Sequence, residues 1–241
     1  MGVLFESCVD SLDGALASVA GGARRLELCA HLEVGGTTPD PALVRAVVAA
    51  VPVPVFAMVR PRGGGFVYGD AEVETMVRDI RLMRAAGAHG LVFGALRSDR
   101  ALDDAVMRRL LSHARPLPVT CHKAFDDTPD LLAALGTLVG LGVDRVLTSG
   151  GRPTAAEGTA MIAALVARAG DAITVVAGGG VRADSVAALV WQTGVREVHA
   201  RVIREPAPAD ALMRERWRRE VAALTTAAKS ASSQNGDSPQ G

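Results

Sequence analysis

Gly-Val-Asp-Arg-Val at residues 142–146 is one of four copies of a short pattern that decides the fold of this chain. The other copies start at Gly22, Gly87 and Gly194. In each copy, a glycine suited to ending a helix in the left-handed conformation comes just before an apolar run. Successive copies are roughly twice the length of one βα unit apart, so another strand must lie between each pair.

These intermediate strands are short apolar runs, two of which are opened by proline. Strict alternation of strands with helical patterns predicts a parallel sheet, and eight units predict a single (β/α)8 TIM barrel over residues 1–224. An open doubly wound sheet is the alternative, which the regular repeat disfavours. A disordered C-terminal tail is predicted for the polar, small-residue segment 225–241. The eight predicted strands lie near residues 3–8, 25–29, 54–59, 89–94, 117–122, 145–149, 172–177 and 196–200.

Composition and charge argue against several classes of protein. The chain has 26 basic and 26 acidic residues, so no overall field favours nucleic acid or an anionic membrane. It has no apolar run long enough to span a bilayer and no pattern of a secretory signal. The three cysteines are too few for a disulfide framework and predict reduced thiols in the cytoplasm.

Alternation along the strands predicts which side chains face the lumen of the barrel. On the second strand Leu26 and Leu28 must face the helices, so Glu27 and Cys29 face inward. The same argument places Glu197, His199 and Arg201 inside on the eighth strand, and Thr120 and His122 on the fifth. Glu6 and Cys8 share a face of the first strand, which is assigned inward by analogy with the second. Two adjacent Glu-x-Cys strands should therefore bring their thiols and carboxylates together. An ion-pair network that merely plugs the barrel is the alternative.

Two glycine-rich loops follow the sixth and seventh strands. Backbone amides of Ser149, Gly150 and Gly151, and of Gly179 and Gly180, are candidate ligands for a phosphate or carboxylate. The second loop leads into a helix, and barrels of this kind often bind phosphate at the loops after the seventh and eighth strands. Glycines that serve only tight packing are the alternative. Arg60 and Arg62, after the third strand, would add positive charge to such an anion site.

The motifs together resemble the CutC family, described as copper homeostasis proteins. The resemblance covers roughly residues 3–203. This chain departs from the family pattern at Lys123, usually arginine, and at Arg201, where the family tends to have serine. The resembling segments are Glu27-Leu28-Cys29, Gly35-Gly36-Thr37-Thr38-Pro39, Arg60-Pro61-Arg62-Gly63-Gly64, His122-Lys123-Ala124-Phe125-Asp126, Leu147-Thr148-Ser149-Gly150-Gly151 and Gly178-Gly179-Gly180-Val181.

The resemblance implies a cytoplasmic, self-associating barrel with a role in copper homeostasis. It also implies Cu(I) binding by Cys8 and Cys29, which match the two cysteines suggested as ligands in the family. Thiolates are the soft ligands that Cu(I) prefers. The alternative for both residues is simple packing in the core, as is usual for free cysteine.

The residues also allow a barrel enzyme of isomerase, lyase or aldolase type that acts on a small anionic or phosphorylated substrate. Glu27 would then be the general base, and His122 or His199 its acid partner. A Schiff-base aldolase using Lys123 is a less favoured case, since strand alternation turns Lys123 from the lumen unless the strand ends first. A scaffold protein without a ligand is the third hypothesis.

Overall fold

The chain folds into a closed barrel of eight parallel strands, in the order β1 to β8. The computed structural model describes residues 2–202 and 210–234. Within these ranges each predicted strand is present, although most are shorter than predicted. The strands are β1 (Leu4–Val9), β2 (Arg25–Leu28), β3 (Val55–Met58), β4 (Gly90–Phe93), β5 (Val119–Cys121), β6 (Arg145–Thr148), β7 (Thr174–Gly178) and β8 (Glu197–Ala200).

A helix follows each strand and covers the outside of the barrel. Several of these helices begin at a capping side chain: Asp130, for instance, accepts hydrogen bonds from two backbone amides at the start of its helix. Gly142 and Gly194, from the pattern that predicted the barrel, have φ angles of +71° and +68°. The helices are α1 (Leu12–Ala20), α2 (Pro41–Ala50), α3 (Asp70–Ala85), α4 (Asp104–Ala114), α5 (Leu131–Gly140), α6 (Thr159–Ala169), α7 (Val186–Thr193) and α8 (Ala211–Gln234).

The last helix corrects the predicted end of the barrel. The sequence placed a disordered tail from residue 225, but α8 continues to Gln234. Ala228 and Ala231 are buried, because small residues at helical spacing let α8 pack closely on α1 and α7. A Cβ atom at Gly21 would lie only 2.6 Å from Val221 of α8, which shows how close the approach is. The rest of the predicted tail, 235–241, lies outside the described residues.

Apolar side chains fill the space between the barrel and its helices. Leu26 and Leu28 belong to this main core, whereas Cys8 and Cys29 belong to a separate small cluster inside the lumen. The alternation used to assign the faces of β1 and β2 is therefore confirmed. No described helix is both long enough and apolar enough to cross a bilayer.

Candidate functional site

Charged side chains that pair with one another close the lower part of the lumen, which is the part nearer the amino-terminal ends of the strands. The guanidinium of Arg25 donates to Glu6 and, at 2.5 Å, to Glu197. Arg145 lies 3.5 Å from the same Glu197 carboxylate. Both arginines pack over the ring of Phe56, at 5.3 and 5.1 Å from its centroid. The plug considered as an alternative thus exists, but it occupies this lower layer.

Above the plug lies a thiol–carboxylate cluster made of Cys8, Glu27, Cys29 and His199. The two sulfur atoms are 4.0 Å apart. The Glu27 Oε1 atom lies 3.8 Å from Cys8 Sγ and 3.3 Å from Cys29 Sγ. Three of these residues, Cys8, Glu27 and His199, each offer a ligand atom within 4.8 Å of the others. The predicted meeting of the two Glu-x-Cys strands is therefore observed at Glu27 and the cysteines.

His199 completes the cluster from the other side. Its Nε2 atom lies 3.1 Å from Glu27 Oε2 and 4.0 Å from Glu6 Oε1. His199 Nε2 and Glu27 Oε2 are close enough for an ion pair, but they are not aligned for a hydrogen bond. Both atoms are buried. Gly178 lies opposite His199 in the sheet register, and a Cβ there would come within 3.2 Å of the histidine. The glycine leaves room for the ring.

The protonation states within the cluster depend on one another. The hydrogen bond with Cys29 lowers the pKa of Cys8 despite burial, whereas that bond and burial raise the pKa of Cys29 well above its usual value. Burial opposes the charge on His199, but the Glu27 carboxylate outweighs it and raises the pKa of His199 well above its usual value. Burial likewise opposes the charge on Glu27, and the His199 charge lowers its pKa overall. Within the cluster Cys8 thus loses its proton more readily than Cys29, and Glu27 and His199 favour a charged pair.

His122 follows β5 and is buried at the same end of the barrel. Its Nδ1 atom accepts a hydrogen bond from the Ala124 amide, so the neutral ring carries its proton on Nε2. Burial and the Arg60 charge lower the pKa of His122 to about 4, which keeps the ring neutral at pH 7. The buried Nε2 atom has no hydrogen-bond partner within the described ranges. His122 therefore presents an unused donor.

Arg60 and Arg62 make contacts within and beside their own loop. Arg60 is buried and donates to the carbonyls of Val34, Gly36 and Gly64. Arg62 forms an ion pair with Glu72 and donates to carbonyls of its own loop. The predicted contribution of these charges to an anion site at the glycine loops has no support in these contacts.

A carboxylate of the chain itself occupies the amides of the loop after β6. Asp126 accepts from the amides of Ser149 and Gly151, both at 2.9 Å, and from the hydroxyls of Thr148 and Ser149. We call Asp126 with these donors the Asp126 cradle. The Gly150 amide donates to Thr148 Oγ1. The prediction that Ser149, Gly150 and Gly151 offer free amides to an anion is thus corrected, because an internal anion fills that role.

Sequence reasoning missed Asp126, although the loop composition correctly indicated a place where a negative charge binds. The signal was the Asp in Ala-Phe-Asp at residues 124–126, directly after a strand end. A 3-10 helix, Lys123–Asp127, turns this carboxylate toward the neighbouring loop. The position of Asp126 therefore depends on a turn that periodicity does not reveal.

Lys123 points toward the glycine loops, since β5 ends at Cys121 before alternation can turn it away. Its Nζ atom donates to Ser149 Oγ at 2.8 Å and lies 3.3 Å from Asp126. A Cβ at Gly179 would come within 3.0 Å of that Nζ atom. At Gly180, a Cβ would come within 3.0 Å of the Thr154 side chain instead. The second glycine loop is thus close to the lysine side chain.

Two other expectations concern residues at the edge of the site. Arg201 was expected in the lumen, but it follows the end of β8. It lines a surface groove together with Val181, which precedes α7, and with Glu220 of α8. The strand ends at Ala200, so alternation no longer applies at Arg201. Cys121 faces the helices, as its place between the inward-facing Thr120 and His122 predicts, and belongs to the main core.

Comparison with known proteins places this architecture in a family. The model of the CutC family matches residues 3–204. A human protein named copper homeostasis protein cutC homolog is 46% identical over 198 residues, which are 82% of this chain and 72% of that protein. A family protein CutC from Caulobacter vibrioides is 47% identical over 197 residues, covering 82% and 80% of the two chains.

A solved structure agrees with the sequence relatives. The crystal structure of CutC from Streptococcus agalactiae superposes with a TM-score of 0.79 at 34% identity, covering 82% of this chain and 97% of that one. Both the match to the family model and the identity to these relatives extend over most of the barrel. This chain therefore belongs to the CutC family.

Proposed function

We propose that this protein binds Cu(I) through Cys8 and Cys29 and takes part in copper handling in the cytoplasm. The observation that carries the proposal is the pair of buried sulfur atoms, 4.0 Å apart, at the upper end of the lumen. Thiolates are the ligands that Cu(I) prefers. The human relative's name, copper homeostasis protein cutC homolog, supports the same role.

The surroundings of the two sulfurs suit a soft cation. Phe56, Met58 and Val92 pack with the cysteines in one apolar cluster, which keeps water away from them. The hydrogen bond with Cys29 lowers the pKa of Cys8, which favours its loss of a proton to a metal, and places Cys29 beside it. When bound, Cu(I) would add a soft, singly charged centre held by sulfur. Cys8 and Cys29 would hold it, and their thiolate charge would balance its own.

The sheet register also favours keeping the two cysteines as thiols. Cys8 lies opposite Glu27, so Cys29 is offset from it by two residues on the next strand. With a strand spacing of about 4.8 Å and a rise of about 3.3 Å per residue, the two Cα atoms are roughly 8 Å apart. A disulfide needs Cα atoms closer than about 7 Å. Both sulfurs therefore remain available to a metal.

A Cu(I) titration tests this proposal. Under anaerobic conditions, against a chromogenic Cu(I) chelator, the Cys8→Ser, Cys29→Ser double variant should bind Cu(I) more than about 100-fold more weakly than the wild type, since loss of supporting residues alone costs about 10–100-fold. Cys121→Ser is the matched control, because that thiol faces the helices, and it should bind as the wild type does. Equal affinity in the double variant would overturn the proposal.

A second candidate is a barrel enzyme of isomerase, lyase or aldolase type acting on a small anionic substrate. The specific observation in its favour is the unpartnered His122 Nε2, joined by Arg60 Nε as a second buried donor lacking a partner in the described part of the chain. Both side chains pack on the ring of Phe66. Two such donors are suited to a carboxylate or carbonyl oxygen, and Glu27 would be the base.

Native mass spectrometry of the protein as purified from its expression host tests this second candidate. An organic ligand of defined mass, retained by the wild type and absent from His122→Ala, supports it. A wild-type spectrum showing only the bare chain or metal adducts contradicts it. Borohydride treatment with small aldehydes addresses the aldolase case separately, which requires a reduced adduct on Lys123 and is excluded if none forms.

A further inference from the structure

We propose that Cys8, Cys29, Glu27 and His199 form a four-donor site that binds Zn²⁺. The inference deepens the proposed metal-binding function and rests on it in one respect, because both metals would use the two thiolates. It differs in the cation and in assigning Glu27 and His199 as ligands.

The distances within the cluster already resemble those around a tetrahedral metal. Ligand atoms about 2.0–2.3 Å from a common Zn²⁺ lie roughly 3.3–3.8 Å from one another. The three contacts among the sulfurs and Glu27 Oε1 are 3.3, 3.8 and 4.0 Å. The two cysteines and the carboxylate are thus arranged as one face of such a tetrahedron.

His199 approaches the fourth corner. A ring nitrogen of His199 lies within 4.8 Å of both the Cys8 sulfur and a Glu27 oxygen. Its Nε2 atom is closest to Glu27, at 3.1 Å, and forms no aligned hydrogen bond there. The residues whose ligand atoms all lie within 4.8 Å of one another are Cys8, Glu27 and His199, so the His199 ring must turn toward Cys29 for all four donors to reach one ion. Gly178, beside the ring, leaves space for that turn.

The donor set also distinguishes between cations. Two sulfurs, one imidazole nitrogen and one carboxylate oxygen are all ligands that Zn²⁺ accepts, usually four at a time. Cu(I) gains little from the carboxylate oxygen, which is a hard ligand. Glu27 and His199 are therefore more useful to a divalent cation than to Cu(I).

A neighbouring carboxylate that faces His199 is itself held in place. Glu6, which also faces His199, is paired with Arg25 of the lower plug. Such outer contacts fix the orientation of metal ligands in known sites. Glu27 is 3% exposed and Cys29 is fully buried, so binding within the lumen would be sheltered from solvent.

Direct binding measurements test the site. The wild-type chain, freed of metal under reducing conditions, is titrated with Zn²⁺ against a chromogenic zinc chelator. Glu27→Gln and His199→Gln should each weaken Zn²⁺ binding by at least about 10–100-fold, as losing a ligand should cost no less than losing its support. His31→Gln is the matched control, because His31 is 69% exposed and far less constrained. Unchanged Zn²⁺ affinity in the first two variants would overturn the inference.

Spectroscopy of the wild type keeps the test independent of whether the variants fold. Co²⁺ in place of Zn²⁺ should give intense visible bands of a tetrahedral ion and a thiolate charge-transfer band. X-ray absorption of the Zn²⁺ form should give two sulfur and two nitrogen or oxygen ligands. A spectrum of six oxygen ligands, or of two sulfurs alone, would overturn the site.

The same variants separate this inference from the copper proposal. Cu(I) affinity should fall much less than Zn²⁺ affinity in His199→Gln. If the wild type binds Cu(I) and not Zn²⁺, the zinc site is wrong and the copper proposal stands. If it binds Zn²⁺ through all four donors and Cu(I) only weakly, the copper proposal fails and the zinc site stands.

Discussion

The thiol–carboxylate cluster and the Asp126 cradle lie on opposite sides of the same barrel mouth and use their polar groups in opposite ways. In the cradle, Asp126 accepts four different donors from the neighbouring loop, and Lys123 adds a further charge contact. In the cluster, Glu27 Oε2 and His199 Nε2 are buried without an aligned partner among the residues that the structure describes.

The difference indicates which region serves structure and which is available for a ligand. Buried polar groups are nearly always satisfied, so a saturated network such as the cradle stabilises the fold, and a group left unsatisfied needs an explanation. A metal provides one for the cluster. Glycine-rich loops looked like the better binding site in the sequence, yet their donors are the ones already used.

The largest expected effect on stability comes from removing the Asp126 carboxylate from the cradle. Asp126→Ala leaves the Thr148 hydroxyl and the Ser149 amide, both in buried residues, without an acceptor, so the free energy of unfolding should fall by about 3–5 kcal/mol. Urea denaturation measures this change. Asp127→Ala is the matched control, because its side chain is exposed and its loss should change little. Millimolar phosphate should restore part of the lost stability if the cradle accepts an external anion. A variant as stable as the wild type would mean that the cradle is not a structural element.

A smaller effect concerns pH and His122, which lies between the two regions. Its pKa is about 4 in the folded chain and about 6.5 when unfolded, so the unfolded state binds more protons between these values. The stability contributed by the neutral ring is complete above pH 6.5 and is lost as the pH falls toward 4. From pH 7 to 4.5 this loss should be about 2–3 kcal/mol.

Replacing His122 isolates this contribution from that of other groups. His122→Gln should lose less stability over the same pH range, whereas His31→Gln should follow the wild type, since His31 is exposed. His199 does not mask the result. Its raised pKa gives stability below pH 6.5 that is lost only as the pH rises, and it is present in both chains. Parallel pH profiles for His122→Gln and the wild type would contradict a neutral, buried His122.

The smallest expected effect is the difference in stability between two threonine variants. The hydroxyl of one threonine is hydrogen-bonded within the cradle, and that of the other is buried without a described partner. Thr148 donates to Asp126 and accepts from Gly150, so Thr148→Val should cost about 1–3 kcal/mol. The buried Thr120 hydroxyl has no hydrogen-bond partner among the described residues, so Thr120→Val should change stability by less than about 1 kcal/mol. Thermal and urea unfolding of both variants measure the contrast. Equal losses would mean that Thr120 has a partner, such as bound water.

Much of the fold was predictable because its signals are local. The repeated glycine before each apolar run follows from the conformation that ends a helix, and it gave the number of strands. Alternation then placed Glu27 and Cys29 in the lumen, since a strand turns successive side chains to opposite faces. The end of α8 was not predictable in this way, because Ala228 and Ala231 are buried only through contact with other helices.

The amino-acid sequence by itself determined the barrel, its CutC family and the pair of lumen cysteines, since each depends on residue type and spacing along one segment. Only the tertiary structure decided which residues of the barrel mouth form the thiol–carboxylate cluster and which form the Asp126 cradle. Asp126 reaches the loop after β6 through a turn, and His199 meets Glu27 because β8 closes the barrel against β1. Such pairings join residues that are distant in the chain, so their partners are fixed by closure of the sheet and not by any local pattern.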